Sequence, residues 1–420
     1  MRVQNIRAAN PDKEESQREE SAVFQELENI ENFLAEAPEY EILQAVNYIF
    51  MWIRSNVEKI KDTDEKNLIQ RFTAVLEKIK KYLQTPALTN KKQYFETMKN
   101  RHDIYFRDEE TAKHLADNWD GTGVKKPQNL RFLENAIPVV LCANENYAPY
   151  MAVMLQSLLD NSNPQRKYHF IIFERNFSAK TKNYLINQVS KCQNCLIDFI
   201  DMTYILDGIP IGSPANDISI DAFSRLFIPY WFDRYPKVIY LDSDMICKTD
   251  IAELYDLDIQ PFCMGAATDR IIGKNLKNKN YAAFLSMSAF ILLDNWSRYF
   301  NSGTLVFDTE KFKEKISYQD LFRFAIYYTN RYAKRCNDQD VLNLLIKDDY
   351  FLLSQKWNYI CCEIIDGMLK PAKPDVKIIH FACKKPWKNH PYITKNNSDA
   401  LAYIDYAKNV PLYNINCLYK

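Results

Sequence analysis

The apolar positions fall into two regimes along the chain. Between residues 21 and 116 they recur at helical spacing. Val23, Phe24, Leu27, Ile30 and Leu34 form one stripe, ended by Pro38. Ile42, Val46, Ile49, Phe50 and Ile53 form a second, and Leu68, Phe72, Val75, Leu76, Ile79 and Leu83 a third, before Thr85-Pro86. A polar Gly- and Pro-containing stretch at 118–129 then reads as a boundary. From Ile137 the pattern alternates between short apolar runs and helical stripes. It predicts strands at Ile137–Cys142, Tyr168–Phe173, Cys195–Ile200 and Val238–Leu241, then at Gly303–Phe307 and Val376–Phe381. Helices are predicted at Tyr150–Leu159, Lys180–Val189, Ile220–Tyr230 and Asp338–Ile346. Strand-helix alternation means an α/β fold with a mostly parallel sheet flanked by helices. The expected organisation is a frayed terminus (1–20), a helical bundle (21–130), an α/β domain (131–395) and a C-terminal tail (396–420).

Composition adds limits. The chain has 420 residues, 47% hydrophobic and 26% charged, as in a soluble globular protein. Its 54 basic and 54 acidic residues cancel, so charge gives no argument for nucleic acid. Ten cysteines show no metal framework; Cys192-Gln-Asn-Cys195 is the single C-x-x-C, and reduced thiols are expected. The first ten residues lack a signal-peptide core, and no apolar run approaches the roughly 20 residues of a membrane span. The expected location is the cytoplasm, free or peripheral on the inner face of the membrane.

Five polar stretches stand where strands or helices end. Pro236–Lys248 is an apolar strand running into Asp242-Ser243-Asp244. In extended backbone, positions i and i+2 point the same way, so Asp242 and Asp244 can offer oxygens to one divalent cation while Ser243 faces elsewhere. A solvated turn gives the same pattern. Asn144 and Tyr147, after the first core strand, suit a planar base through an amide carbonyl and an aromatic face, or form an ordinary turn. Arg225, on an apolar helix, requires carboxylate or oxygen partners. Asn301-Ser302-Gly303 offers polar contacts and, through Gly303, close backbone approach. Asn337-Asp338-Gln339-Asp340 opens a helix, and His380 ends a strand ahead of Lys384 and Lys385. His380 with two carboxylates makes an N/O site suited to manganese, and Lys385 suits a diphosphate.

Together these stretches resemble glycosyltransferase family 8, the retaining GT-A enzymes that include bacterial lipopolysaccharide galactosyl- and glucosyltransferases and glycogenin. The resemblance runs from about Ile137 to Trp387. It implies a GT-A fold and a donor, UDP-glucose or UDP-galactose. Asp242, Asp244 and His380 would hold Mn²⁺, with Mg²⁺ as the alternative. Ala143, Asn144, Asn146 and Tyr147 would bind uridine, with Ser243 also on the donor side. Arg225, Asn301, Ser302, Asp338 and Gln339 would surround the sugar, and Lys385 the diphosphate. Gln339 and Asp338 are the implied catalytic pair, stabilising an oxocarbenium-like sugar. The implied acceptor is a glycan or glycolipid, such as a lipopolysaccharide or other surface-glycan precursor. Two departures stand out: Asn144 where the family commonly has Asp, and Cys383 in place of a Gly, with one residue fewer before Lys385.

Two other readings use the same residues. A haloacid-dehalogenase-type phosphatase also places Asp-X-Asp after a strand, but it leaves His380, Lys385 and Gln339 unused. A non-catalytic UDP-sugar-binding scaffold would keep the binding residues alone. The acceptor side is expected in Ile271–Trp296 and beyond Trp387. There Tyr392, Tyr403, Tyr406 and Tyr413 stack on sugar, meet a membrane surface or simply pack. The N-terminal helices are candidates for oligomerisation.

Overall fold

The computed structural model describes residues 28, 30–32, 74, 109–127, 131–212, 219–271, 298–332, 337–361, 364–365, 368–369, 375–382, 385–387 and 398–413. The chain divides into two compact units: Met1–Arg107 with Asn275–Phe290, and Asp108–Lys274 with Ile291–Lys420. The fold and the site described here belong to the second. Of the predicted N-terminal bundle (21–130), only residues 28, 30–32, 74 and 109–127 are described; the first five are helical, and so is Glu109–Asp117.

The second unit is built on a seven-stranded sheet with the order β3-β2-β1-β4-β7-β6-β8. Its strands are β1 (Ala136–Asn144), β2 (Lys167–Arg175), β3 (Cys195–Asp201), β4 (Lys237–Leu241), β6 (Met264–Thr268), β7 (Phe300–Asp308) and β8 (Phe351–Leu352). β1 runs parallel to β2 and β4, and β2 to β3; β7 runs antiparallel to both β4 and β6. β1, β2 and β4 are almost wholly buried, which is why they read as continuous apolar runs. Helices α2 (Ala148–Asp160) and α3 (Ala179–Val189) follow β1 and β2. Ser178 starts α3 by accepting from the Thr181 amide at 3.2 Å.

The reversed strand decides what meets the end of β4. Because β7 is antiparallel, its first residues lie beside the last residues of β4: Leu241 pairs with Thr304, and the Asp242 N–H donates to Gly303 O at 2.8 Å. A second, three-stranded sheet brings in the end of the chain. It comprises β5 (Met245–Cys247), β9 (Tyr359–Ile360) and β10 (Ile378–His380), with His380 opposite Met245.

Two expectations meet a different local structure, and one helix is placed by its packing. The helix expected over Ile220–Tyr230 is a 3-10 helix at Ile220–Phe227 followed by an α-helical turn, Ile228–Trp231. Pro229 has no N–H to donate to Arg225 O. The Ile228 N–H donates there instead, which is the tighter i to i−3 pattern. β6 was not foreseen, because Met264-Gly-Ala-Ala-Thr268 lacks branched apolar residues. A helix at Glu109–Asp117, α1, lies in the same unit as the sheet, and the Trp119 that follows it packs on Tyr318 and Phe322 with ring centroids 5.9 and 5.5 Å away.

In the tail, residues Ser398–Lys408 form a helix, and Tyr403 and Tyr413 are buried in the main core, so packing accounts for both. Tyr406 accepts from Asn161 Nδ2 at 3.0 Å. Tyr392 lies outside the described residues. Among the described residues no helix is long and apolar enough to cross a membrane, and the described cysteines are free.

Candidate active site

The C-terminal end of β4 supplies Asp242 and Asp244, and β10 supplies His380. The ligand atoms of these three residues lie within 4.8 Å of one another. His380 Nε2 is 3.2 Å from Asp244 Oδ1 and 3.6 Å from Asp242 Oδ2. Gly303 makes room for them. A Cβ there would lie 2.5 Å from His380 Cε1 and 2.8 Å from Asp242 Oδ2, closer than side chains pack. Lys385 closes this end with its ammonium on Asp244 Oδ2. Burial alone would raise the Asp244 carboxyl; the Lys385 ammonium outweighs it and holds the group well below the usual carboxylate range. Burial alone would lower the Lys385 ammonium, and Asp244 instead keeps it above its ordinary value.

A chain of side-chain amides sets which nitrogen of His380 is free. Asp269, a carboxylate, can only accept, and Asn301 Nδ2 donates to its Oδ2 at 3.2 Å. Asn301 Oδ1 then accepts from Asn358 Nδ2 at 2.8 Å and from the Gly303 N–H at 3.0 Å. That turns Asn358 Oδ1 towards His380 Nδ1, 2.9 Å away. A carbonyl there places the proton on Nδ1 and leaves the Nε2 lone pair facing the two carboxylates. Three electron-pair donors thus converge with no proton of their own between them. The set fits a divalent cation with N/O preference.

Behind the cation end, β7 and α4 (Asn337–Ile346) form a closed wall. Arg225 is buried and joins the two parts. Its Nη2 is 3.0 Å from Asp242 Oδ1, its Nε is 3.0 Å from Asp338 Oδ2, and Nη1 donates to Ser302 O at 2.6 Å and Ser302 Oγ at 2.9 Å. Its guanidinium carbon also sits 4.3 Å from the centre of the Tyr240 ring. Ser302 Oγ donates to Asp338 Oδ2 at 3.0 Å. Burial pushes the Asp338 carboxyl up to about 6, against the pull of Arg225. Gln339 Oε1 accepts from Asn301 Nδ2 and the Ser302 N–H, both at 3.0 Å. Its Nε2 donates to Tyr299 Oη at 3.1 Å and Asp269 Oδ2 at 3.3 Å. The Asn343 side chain braces the wall by bonding both the N–H and the C=O of Phe300.

The turn after β1 lies beside this end of the sheet. Ala143 is buried and Asn144 half-buried; Asn146 is exposed. Asn144 Nδ2 donates to Asp221 Oδ2 at 2.8 Å, and its carbonyl accepts the Tyr147 N–H at 3.1 Å. Tyr147 stands edge-on to Trp387, with ring centroids 6.2 Å apart, and Trp387 stacks on Tyr150 at 3.9 Å. Ser243 behaves differently from its neighbours. Its hydroxyl donates to Cys142 O at 2.5 Å, tying the end of β4 to β1 rather than facing the cation end.

The structure therefore gathers Asp242, Asp244, His380 and Lys385 at one end, and Arg225, Asn301, Ser302, Asp338 and Gln339 in the adjoining wall. Sequence reasoning missed Asp269, Asn358 and Asp221. Asp269 carried one signal, an acidic residue directly after the weak apolar run of β6; Asn358 carried none. Cys383 and all but the first residue of the Ile271–Trp296 segment, both singled out in the sequence, lie outside the described residues.

Comparison with known proteins points the same way. The model of a family described as glycosyl transferase family 8 matches residues 138–390. General stress protein A of Bacillus subtilis is 25% identical over 286 residues, covering 64% of this chain and 93% of that protein. Lipopolysaccharide 1,2-glucosyltransferase of Escherichia coli is 26% identical over 294 residues, covering 65% of this chain and 76% of that protein. The crystal structure of the galactosyltransferase LgtC in complex with donor and acceptor sugar analogs superposes with a TM-score of 0.50 at 20% identity, covering 67% of this chain and 98% of that one. At that identity the likeness shows the fold, which is GT-A-like.

Proposed function

The chain belongs to glycosyl transferase family 8, and from that membership we propose that it moves a hexose, glucose or galactose, from a UDP-sugar to a glycan acceptor with retention of configuration. The observation that carries this reading is the convergence of Asp242, Asp244 and His380 beside Lys385, against the wall of Arg225, Ser302, Asp338 and Gln339. Asp242, Asp244 and His380 would hold Mn²⁺, or Mg²⁺. The bound cation would supply positive charge against the diphosphate as it leaves. Lys385 adds a second positive group on the same side. The turn of Ala143, Asn144, Asn146 and Tyr147 takes the uridine.

The wall bears on how retention is achieved. Both hydrogen bonds accepted by Gln339 Oε1 come from the protein, so its attack on the sugar would break a buried network. Asp338 is paired to Arg225 and to Ser302. Neither group is a free nucleophile. This favours attack by the acceptor from the face the leaving group occupies, with a diphosphate oxygen taking the acceptor proton. Gln339 and Asp338 then act by stabilising positive charge on the sugar.

The acceptor we propose is a lipopolysaccharide or other surface-glycan precursor, in keeping with the similarity to the Escherichia coli glucosyltransferase. The working location is the cytoplasm or the inner membrane face, with the helices predicted for the N-terminal region as candidates for oligomerisation. The test is calorimetric titration of UDP with and without Mn²⁺ on wild type and Asp244→Ala, followed by UDP release from UDP-glucose and UDP-galactose. UDP binding that needs both Mn²⁺ and Asp244 is expected. Absence of any metal-linked binding would overturn the reading.

A further inference from the structure

A buried carboxylate, Asp221, stands behind the turn at the end of β1. It lies in the first turn of the 3-10 helix and is only 6% exposed. Its Oδ2 accepts from Asn144 Nδ2 at 2.8 Å and from Ser219 Oγ at 2.6 Å; its Oδ1 lies 3.8 Å from Arg175 Nη1. A carboxylate accepts and cannot donate, so the Asn144 amide must turn its NH₂ towards Asp221. The carbonyl is thereby sent to the other side. There it accepts the Tyr147 N–H at 3.1 Å, which uses one of its two lone pairs. The two ends of an amide are nearly the same size, so without such a partner either end can face a ligand.

We propose that Asp221 is a positioning residue that makes this turn select uracil over cytosine. The inference rests on the reading that the turn faces the base of the donor. Uracil presents N3–H, a donor, whereas cytosine presents N3 as a lone pair. A carbonyl at position 144 answers the first and repels the second; an NH₂ there would do the reverse. A carboxylate at 144 would need no help to remain an acceptor. The amide found here does, and Asp221 provides it from a position where it need not touch the ligand.

The experiment is titration of UDP and of CDP, each with Mn²⁺, into wild type, Asp221→Asn, Asn144→Asp and the double variant Asn144→Asp/Asp221→Asn. Wild type is expected to prefer UDP. In Asp221→Asn the amide at 221 can accept or donate, Asn144 can turn, and the UDP-over-CDP ratio falls by roughly tenfold or more, the equivalent of one misdirected hydrogen bond. Asn144→Asp alone sets two carboxylates against each other and weakens UDP binding. The double variant restores the donor–acceptor pair with its polarity reversed, keeps an acceptor at 144, and recovers both affinity and preference. A merely structural role would not move the base ratio. An unchanged ratio in Asp221→Asn overturns the inference. Should that variant not fold, a double variant that binds UDP no better than Asn144→Asp overturns it equally. Wild type that binds neither nucleotide overturns the donor reading, and this inference with it; wild type that binds UDP leaves the donor reading intact whichever way the variants behave.

Discussion

At the wall of β7 and α4, both polar atoms of Gln339 are answered by neighbouring side chains or backbone. At the cation end, a few ångströms away, Asp242 and Asp244 face a lone pair of His380 that the amide chain from Asp269 holds in place. Arg225 touches both regions, through Asp338 on one side and Asp242 on the other. The difference shows how one site can be both rigid and receptive. Saturated hydrogen bonds fix the wall and add to stability. Converging electron-pair donors repel one another across a short gap, an arrangement that a divalent cation would relieve.

Arg225→Leu should break the comparison most deeply, because it strips both regions of their shared cation. Two carboxylates would lose a buried partner, at a cost of about 3–5 kcal/mol, read as a lowered denaturation midpoint. Unchanged stability would mean that Arg225 is not the link.

Asp244→Ala should separate the regions. Mn²⁺ with UDP is expected to raise the Tm of wild type and leave that of the variant unmoved, since only a binding-competent native state is stabilised by ligand. UDP affinity in the presence of Mn²⁺ should fall by roughly a hundredfold or more, beyond the effect of an outer partner. Asn358→Leu tests that outer partner. It leaves Asp242, Asp244 and His380 in place but frees the His380 ring, so Mn²⁺ affinity should drop by about 10–100-fold. A variant with wild-type Mn²⁺ affinity would remove the amide chain from the account.

Asp338→Asn sharpens the wall side through pH. Its carboxyl sits at about 6 in the folded protein, above the unfolded value near 3.8. The folded state therefore holds the proton more tightly, and this contribution to stability is full below pH ~4 and lost as pH rises through ~6. The stability of wild type relative to Asp338→Asn should fall across that window. A flat difference in urea denaturation from pH 4 to 6.5 would contradict the assignment. Smallest of all should be Arg166→Ala, which breaks an exposed ion pair with Asp256. Less than about 1 kcal/mol is expected, with UDP binding intact.

How much of this was legible beforehand differs by element. Strands β1, β2 and β4 announced themselves because a parallel strand covered on both faces must be apolar throughout. The two carboxylates after β4 followed from the period-2 geometry of extended chain. β6 did not announce itself: close packing let Gly265 and Ala266 serve as core, and small residues carry little pattern.

By itself the sequence determined the α/β alternation, the family and the residue types that converge on one edge of the sheet. Those properties are local, since periodicity and chemical type belong to each segment alone. Only the tertiary structure decided the partners. The reversal of β7 set Gly303 against Asp242, and the pairing of β5 with β10 set His380 against Asp244. Asp269, Asn358 and Asp221 acquired roles solely because folding brought them within hydrogen-bond reach of side chains 32, 22 and 77 positions away. Hydrogen bonds act over about 3 Å of space and take no account of distance along the chain. That is why the converging side chains could be read from motifs, while the groups that orient them could not.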